Sequence, residues 1–234
     1  MIGDVHAEHE RLAEALAFLA EQGVDTILCT GDIVDGVGCP DTCVALLLEH
    51  DVQVVRGNHD RWIVENKARH IADAHTLGAI SAHTADCLAN LPGQIGIDTI
   101  AGRLLLCHGV ADNDLRKVWP GTERMPIERS HELDGVIADK EYQFVINGHV
   151  HFKTIIHFNS LTLINAGTIT GQHWPGFTTI DFGTGEIDAF AFDRGMIVPS
   201  KVTELAPKDL QESWHDTQCF EGNWQPRLLF ERRD

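Results

Sequence analysis

Apolar residues in the first part of the chain alternate between two spacings. Leu12, Leu16, Leu19 and Ala20 recur every three or four positions between residues 8 and 22, which predicts an amphipathic helix, with Gly23 where it would stop. A continuous apolar run at 26–29 follows, then a loop rich in Gly, Asp and Pro, a helical stretch over 42–49 and a short run at 52–55. Short all-apolar runs alternating with helices read as βα units around a sheet buried on both faces. After Pro92 the rhythm changes. Runs at 95–100, 103–107, 144–146, 154–158, 161–164, 177–182 and 187–192 are separated by turns such as Asn159-Ser160 and Gly183-Thr184-Gly185. They predict a second, largely antiparallel sheet, so the fold class is α/β, with two packed mixed β-sheets flanked by helices.

Two stretches fall outside this pattern. Residues 110–142 show no clear strand, carry Pro120, Gly121 and Pro126, and end in a predicted helix; they are candidates to overhang a site. From residue 201 the chain is polar with isolated Trp214 and Trp224, which predicts a tail, 201–234, held on a domain of residues 1–200 by those aromatics.

Composition narrows the class. With 43% hydrophobic and 23% charged residues, the 234-residue chain is neither disordered nor collagen-like nor a coiled coil. No stretch approaches the roughly 20 apolar residues of a membrane span, and the first residues lack the basic and apolar regions of a signal peptide. The expectation is a soluble, cytoplasmic protein without a membrane partner. A net charge of −17 argues against duplex nucleic acid, so any anionic substrate needs a local cation. Six scattered cysteines, several in apolar runs, read as buried thiols rather than disulfides. Cys39 and Cys43 have no second pair at zinc-finger spacing and are read as part of a loop. Nothing in the sequence sets the oligomeric state.

Chemistry concentrates in five short groups. Asp4-Val5-His6, Gly31-Asp32-Ile33-Val34-Asp35-Gly36, Arg56-Gly57-Asn58-His59-Asp60, Cys107-His108-Gly109 and Gly148-His149-Val150-His151 each follow an apolar run that ends at the polar residue. That places them at the carboxyl ends of strands, where open α/β sheets build their sites. Residues i and i+2 of an extended segment point the same way, so Asp4 with His6, and His149 with His151, can converge. Mixed Asp, Asn and His donors suit divalent manganese, iron, cobalt, nickel or zinc, and the absence of Cys disfavours a structural zinc. The other nine of the 14 histidines (His9, His50, His70, His75, His83, His131, His157, His173 and His215) are assigned to surface or packing roles.

The ordered series DxH, GDxxD, GNHD, H and GHxH resembles that of the calcineurin-like metallophosphoesterases, over residues 2–192. Asn165-Ala166-Gly167-Thr168 is similar to the NPGS segment of the small bacterial phosphodiesterase branch, and His108-Gly109 followed by Asn113-Asp114 resembles its HGxxxND loop. The resemblance implies a four-layer α/β/β/α sandwich. It also implies that Asp4, His6 and His151 hold one metal, that Asn58, His108 and His149 hold a second, and that Asp32 bridges both, with manganese favoured. Two such ions clamp a phosphate and supply hydroxide for in-line attack. His59 would donate a proton to the leaving oxygen or stabilise transition-state charge, and Asp35 would orient it.

There are departures from the family pattern. Only Met1 and Ile2 precede Gly3-Asp4, against a full apolar strand in the family, which weakens support for Asp4 and His6 unless a neighbouring segment substitutes for the strand. Ala7 follows His6 where many relatives have Gly. Gly36 stands where the Ser/Thr phosphatases carry the arginine of GDxVDRG, although Arg56 matches them. The expectation is therefore an enzyme, a binuclear-metal phosphoesterase acting on small-molecule or nucleotide phosphodiesters or phosphomonoesters. The alternatives are a phosphatase of phosphoproteins or dinucleoside polyphosphates, or a non-catalytic scaffold like the retromer subunit, which keeps this fold and lacks the catalytic histidine.

Overall fold

Helix α1 (His9–Glu21) turns Leu12, Ala15, Leu16 and Leu19 into the core, as the spacing predicts, and the chain leaves it through Gly23 at φ 67°. The computed structural model describes residues 1–171, 174–206 and 213–230, so the reading of His173 lies outside the described residues. Strand β1 (Leu28–Cys29) pairs in parallel with β2 (Gln53–Val54) across helix α2 (Pro40–Glu49). Cys39 and Cys43 are not a loop pair: Cys39 precedes the first residue of α2, and Cys43 is a buried residue within it. All six cysteines are free. Two helices that apolar spacing does not announce follow, α3 (Asn58–Val64) and α4 (Ala82–Asn90). Each is short, with only two or three buried positions.

The short lead before Asp4 does not weaken it. Ile2 forms a parallel bridge to Cys29, with Ile2 N donating to Leu28 O at 2.7 Å and Thr30 N to Ile2 O at 3.2 Å. On the other side Thr178 N donates to Met1 O, Asp4 N to Gly167 O and Ile169 N to Asp4 O, each at 3.1 Å. Four residues thus stand between β1 and the antiparallel set β8 (Gly176–Asp181), β9 (Glu186–Asp193) and β10 (Met196–Glu204), stitching both into one layer. Ile2, Asp4 and Val5 are fully buried.

The second sheet is built from β3 (Gln94–Thr99), β4 (Gly102–Cys107), β5 (Phe144–Asn147), β6 (Lys153–Phe158), β7 (Thr162–Ala166), β11 (Ser213–Trp214) and β12 (Arg227–Leu228). Its order is β11-β6-β7-β5-β4-β3, with β12 also on β6. It is mixed rather than largely antiparallel, because β4–β5 and β5–β7 are parallel. The reason is the long connection after β4, which contains helix α5 (His131–Asp139) and lets β5 return in the same direction. The runs at 177–182 and 187–192 belong to the first layer.

Alternation along the strands divides the core. Leu104, Leu106, Ile146, Ile155 and Ile164 face Met1, Leu28, Val55 and Ile187 between the sheets, while Leu105, Val145, Ile156 and Leu163 face Leu133 and Ile137 of α5. A third cluster packs α1 and α2 beneath the first sheet. The layers are α/β/β/α, and every motif strand is buried on both faces. Trp214, Phe220 and Trp224 lean on the α5 side, and Trp224 N donates to Gly121 O at 3.0 Å. No helix among the described residues is long and apolar enough to cross a membrane.

One core position is anomalous. Lys153 is 1% exposed, and its Nζ donates to Phe190 O at 3.2 Å. Burial lowers its pKa to about 8. Between about pH 8 and 10.5 the unfolded chain therefore holds a proton that the native chain does not, and native stability from this residue rises with pH across that window, by about 3 kcal/mol. In urea unfolding at pH 7.5 and pH 10, Lys153→Met should lack this rise, so its stability relative to wild type falls by about that amount. A pH-independent difference would show that Lys153 stays charged.

Candidate metal centre

The motif strands deliver their polar ends to one rim. Asp4 is anchored by Thr30 Oγ1, which donates to its Oδ1 at 2.9 Å, and by His149 N, which donates to its Oδ2 at 2.9 Å. His151 Nε2 lies 3.1 Å from Asp4 Oδ2 and 3.2 Å from His6 Nε2. Asp4, His6 and His151 therefore form one convergent group. Asp32, His108 and His149 form a second, and Asn58 Oδ1 joins it 3.0 Å from His108 Nε2. Asp32 Oδ2 stands between the two, 3.3 Å from His108 Nε2 and 4.0 Å from His6 Nε2. The structure brings all seven predicted ligands together.

The donor set fits divalent cations. His6 Nδ1 donates to Asp35 O at 3.0 Å and His108 Nδ1 to Thr30 O at 2.7 Å, so each ring turns Nε2 inward. There His6 Nε2 meets the His151 ring, and His108 Nε2 meets the oxygens of Asn58 and Asp32, contacts that a proton on Nε2 satisfies and that a metal ion would take over by displacing it. Although burial opposes it, Asp32 and Asp4 push the His108 pKa up to about 10. His149, lowered to about 4 by burial and by His108, stays neutral and ready to ligate. Burial works against the charge of Asp32 and Asp4 too, yet the surrounding imidazoles, His108 foremost, hold both carboxyls below the usual range.

Backbone geometry records what this convergence demands. His6, Ala7, Asp32, Asp35, His149 and His151 all adopt positive φ, between 46° and 67°, a region that side-chain-bearing residues avoid at a cost of about 1–2 kcal/mol each. Glycine is required where carboxylates press on the backbone: a Cβ on Gly148 would sit 2.1 Å from Asp4 Oδ1, and one on Gly57 2.1 Å from Asp32 Oδ1.

Beside the ligands lies the predicted pair. His59 Nδ1 is 2.7 Å from Asp35 Oδ2, and its ring stands edge-on to His6 at 5.1 Å. Against the effect of burial, Asp35 and Asp32 raise the His59 pKa. Burial likewise opposes the Asp35 charge, but His59, Arg69 and the His75 backbone hold it ionised.

Residues 1–185 match the family model described as the calcineurin-like phosphoesterase superfamily domain. The chain belongs to that superfamily. Its fold is that of metallophosphoesterases: a hypothetical protein of Pyrococcus horikoshii superposes with a TM-score of 0.67 at 15% identity, over 82% of this chain and 87% of the other. Two more distant structures are Vps29 of Entamoeba histolytica (TM-score 0.51, 18% identity, 87% and 96% covered) and the phosphoesterase YfcE of E. coli (0.51, 15%, 88% and 97%). An uncharacterized protein of Methanocaldococcus jannaschii is 37% identical over 64 residues, 27% of this chain and about a quarter, 26%, of that relative's length.

Within this superfamily site, one organising residue carried no predicted role. Asp60 Oδ1 accepts from Ile33 N at 2.8 Å and Val34 N at 3.3 Å, and its Oδ2 from Gly57 N at 3.0 Å. It caps α3 and fastens the Asp32 loop to it; its place three residues into the helix that begins beyond Gly57 was the available signal. Asp60→Asn keeps the shape but turns an amide toward a backbone N–H. It should cost about 1–3 kcal/mol in urea unfolding of metal-free protein, and a loss below about 0.5 kcal/mol would contradict the role.

Proposed function

We propose that the chain is a binuclear-metal phosphoesterase that hydrolyses small phosphodiesters or phosphomonoesters, nucleotides among them. The observation that carries the reading is Asp32 Oδ2 within reach of both imidazole sets while His59, bonded to Asp35, stands beside them. Asp4, His6 and His151 would hold one cation, Asn58, His108 and His149 the other, and Asp32 both; manganese is the favoured metal. When bound, such a pair neutralises the phosphate charge and provides an activated water in line with the leaving oxygen.

The chain's own residues supply the rest. Asp35 accepts from Nδ1 of His59, which turns its Nε2 outward, and the raised pKa keeps a proton on that ring for the departing oxygen. With a chain charge of −17, an anionic ester is held only by the local cations, which confines binding to the metal rim. The presence of His59 and its partner supports an enzyme over a scaffold. A phosphoprotein phosphatase is disfavoured, because a Cβ at Gly36 would stand 1.9 Å from His6 O, leaving no room for the arginine those enzymes carry.

Protein purified without chelator should carry about two metals per chain by elemental analysis, and it should hydrolyse bis(p-nitrophenyl) phosphate when manganese is supplied. Fewer than one metal and no turnover with manganese would refute the reading. His59→Ala should keep both metals while kcat on diphenyl phosphate, whose leaving group needs a proton, drops by a factor on the order of 10²–10⁴. Asp32→Ala should lose metal and activity together, and a variant that retains both metals would rule out a bridging Asp32.

A further inference from the structure

The loop after α3 is built to turn one side chain inward. Residues 65–68 and 70–73 are all exposed, yet Arg69 between them has a side chain only 6% exposed. It points at the fully buried carboxylate of Asp35: Nη2 donates to Oδ1 at 3.1 Å, and Nε lies 2.5 Å from Oδ2 as an ion-pair contact without hydrogen-bond alignment. The same segment returns to Asp35 twice more. His75 N donates to Oδ1 at 2.8 Å, and Asp35 N donates to His75 Nδ1 at 3.1 Å. Arg69 also closes the segment on itself through Lys67 O and His75 O.

We infer that Arg69 is a positioning residue for His59, acting through Asp35 to fix the direction of the imidazole. The reason is geometric. A carboxylate has two oxygens and a free torsion, and Asp35 Oδ2 must face His59 Nδ1 at 2.7 Å. His75 N alone holds only Oδ1 and leaves rotation about that oxygen. Arg69 adds a second donor on Oδ1 and places its positive charge against Oδ2, which restricts that rotation and hence the line of the His59 bond. Arg69 touches neither a metal ligand's side chain nor any group that faces the substrate in the proposed reaction, so its influence on turnover passes through His59.

The inference rests on the phosphoesterase reading, and the test separates the two. Two diesters of similar shape are compared: diphenyl phosphate, whose leaving group needs a proton, and bis(p-nitrophenyl) phosphate, whose leaving group scarcely does. Arg69→Gln in the metal-loaded chain should keep two metals and its KM. It should lose about ten- to hundredfold in kcat on the first and less than about threefold on the second. In a His59→Ala background the same change should do nothing further. Equal losses on both diesters, loss of metal, or a further loss in that background would overturn the inference. Arg69→Lys, which keeps the charge without the fork, should show the same pattern more weakly and serves if the glutamine variant does not fold. An activity-free readout is the low-field Nδ1 proton of His59 in NMR, identified by its absence from His59→Ala. It should broaden or vanish in Arg69→Gln, and its survival unchanged overturns the positioning role. If the wild-type chain hydrolyses neither diester, the proposed function fails while this readout still decides the role of Arg69.

Discussion

Two buried carboxylates, Asp4 and Asp32, are the constraint on which the rest of this structure turns. Imidazoles converge on each, His6 and His151 on Asp4 and His108 and His149 on Asp32, with Asn58 Oδ1 joining the second group. An acceptor cluster of this kind repels itself, and burying it in a protein interior is costly unless positive charge fills the centre. The fold answers by holding several of these groups from behind. Thr30 and the His149 backbone fix Asp4, Asp35 O fixes His6, Thr30 O fixes His108, and the Asp60 carboxylate ties the Asp32 loop to the helix that carries Asn58. Six residues at positive φ are the backbone's share of that cost, concentrated where ligands and their neighbours lie.

That arrangement explains why so much was legible in the sequence. Ligand strands must be buried on both faces, so they read as apolar runs, and each must end at a polar residue, so the motifs mark the ends. Most predicted strands fall within one or two residues of the observed ones for this reason. Where the two differ, the missing information was pairing rather than propensity. A run such as Phe177–Phe182 looks the same whether it joins the first sheet or the second, and here Thr178 N donates to Met1 O. Parallel pairing of β5 with β4 and β7 depends on the route of the long connection, which no local pattern encodes. Helix α3 was hidden because its sequence is the ligand motif itself: Asn58, His59 and Asp60 occupy its first turn, so polar residues fill positions that an amphipathic pattern would give to apolar ones.

Neighbouring segments take the place of a full first strand. Support for Asp4 does not come from strand length. It comes from neighbours on both sides, β1 through Ile2 and the Gly167–Thr168 turn through Asp4 itself, where Thr168 Oγ1 donates to Asp4 O at 2.7 Å. Asn165 braces that turn, its Nδ2 donating to Asn147 Oδ1 at 3.0 Å and its Oδ1 accepting from Gly167 N at 3.0 Å. The Asn165-Ala166-Gly167-Thr168 segment, noticed as a similarity, is thus the wall against which the first metal group is held.

Net charge bears on the same place. With a net charge of −17, the place where Asp4, Asp32 and four imidazoles converge is where a bound cation would most change the local field. The Asp35–His59 pair is set one ring beyond that point, edge-on to His6. Asp35 is tied to both rings through separate atoms: its carbonyl accepts from His6 Nδ1 and its carboxylate from His59 Nδ1.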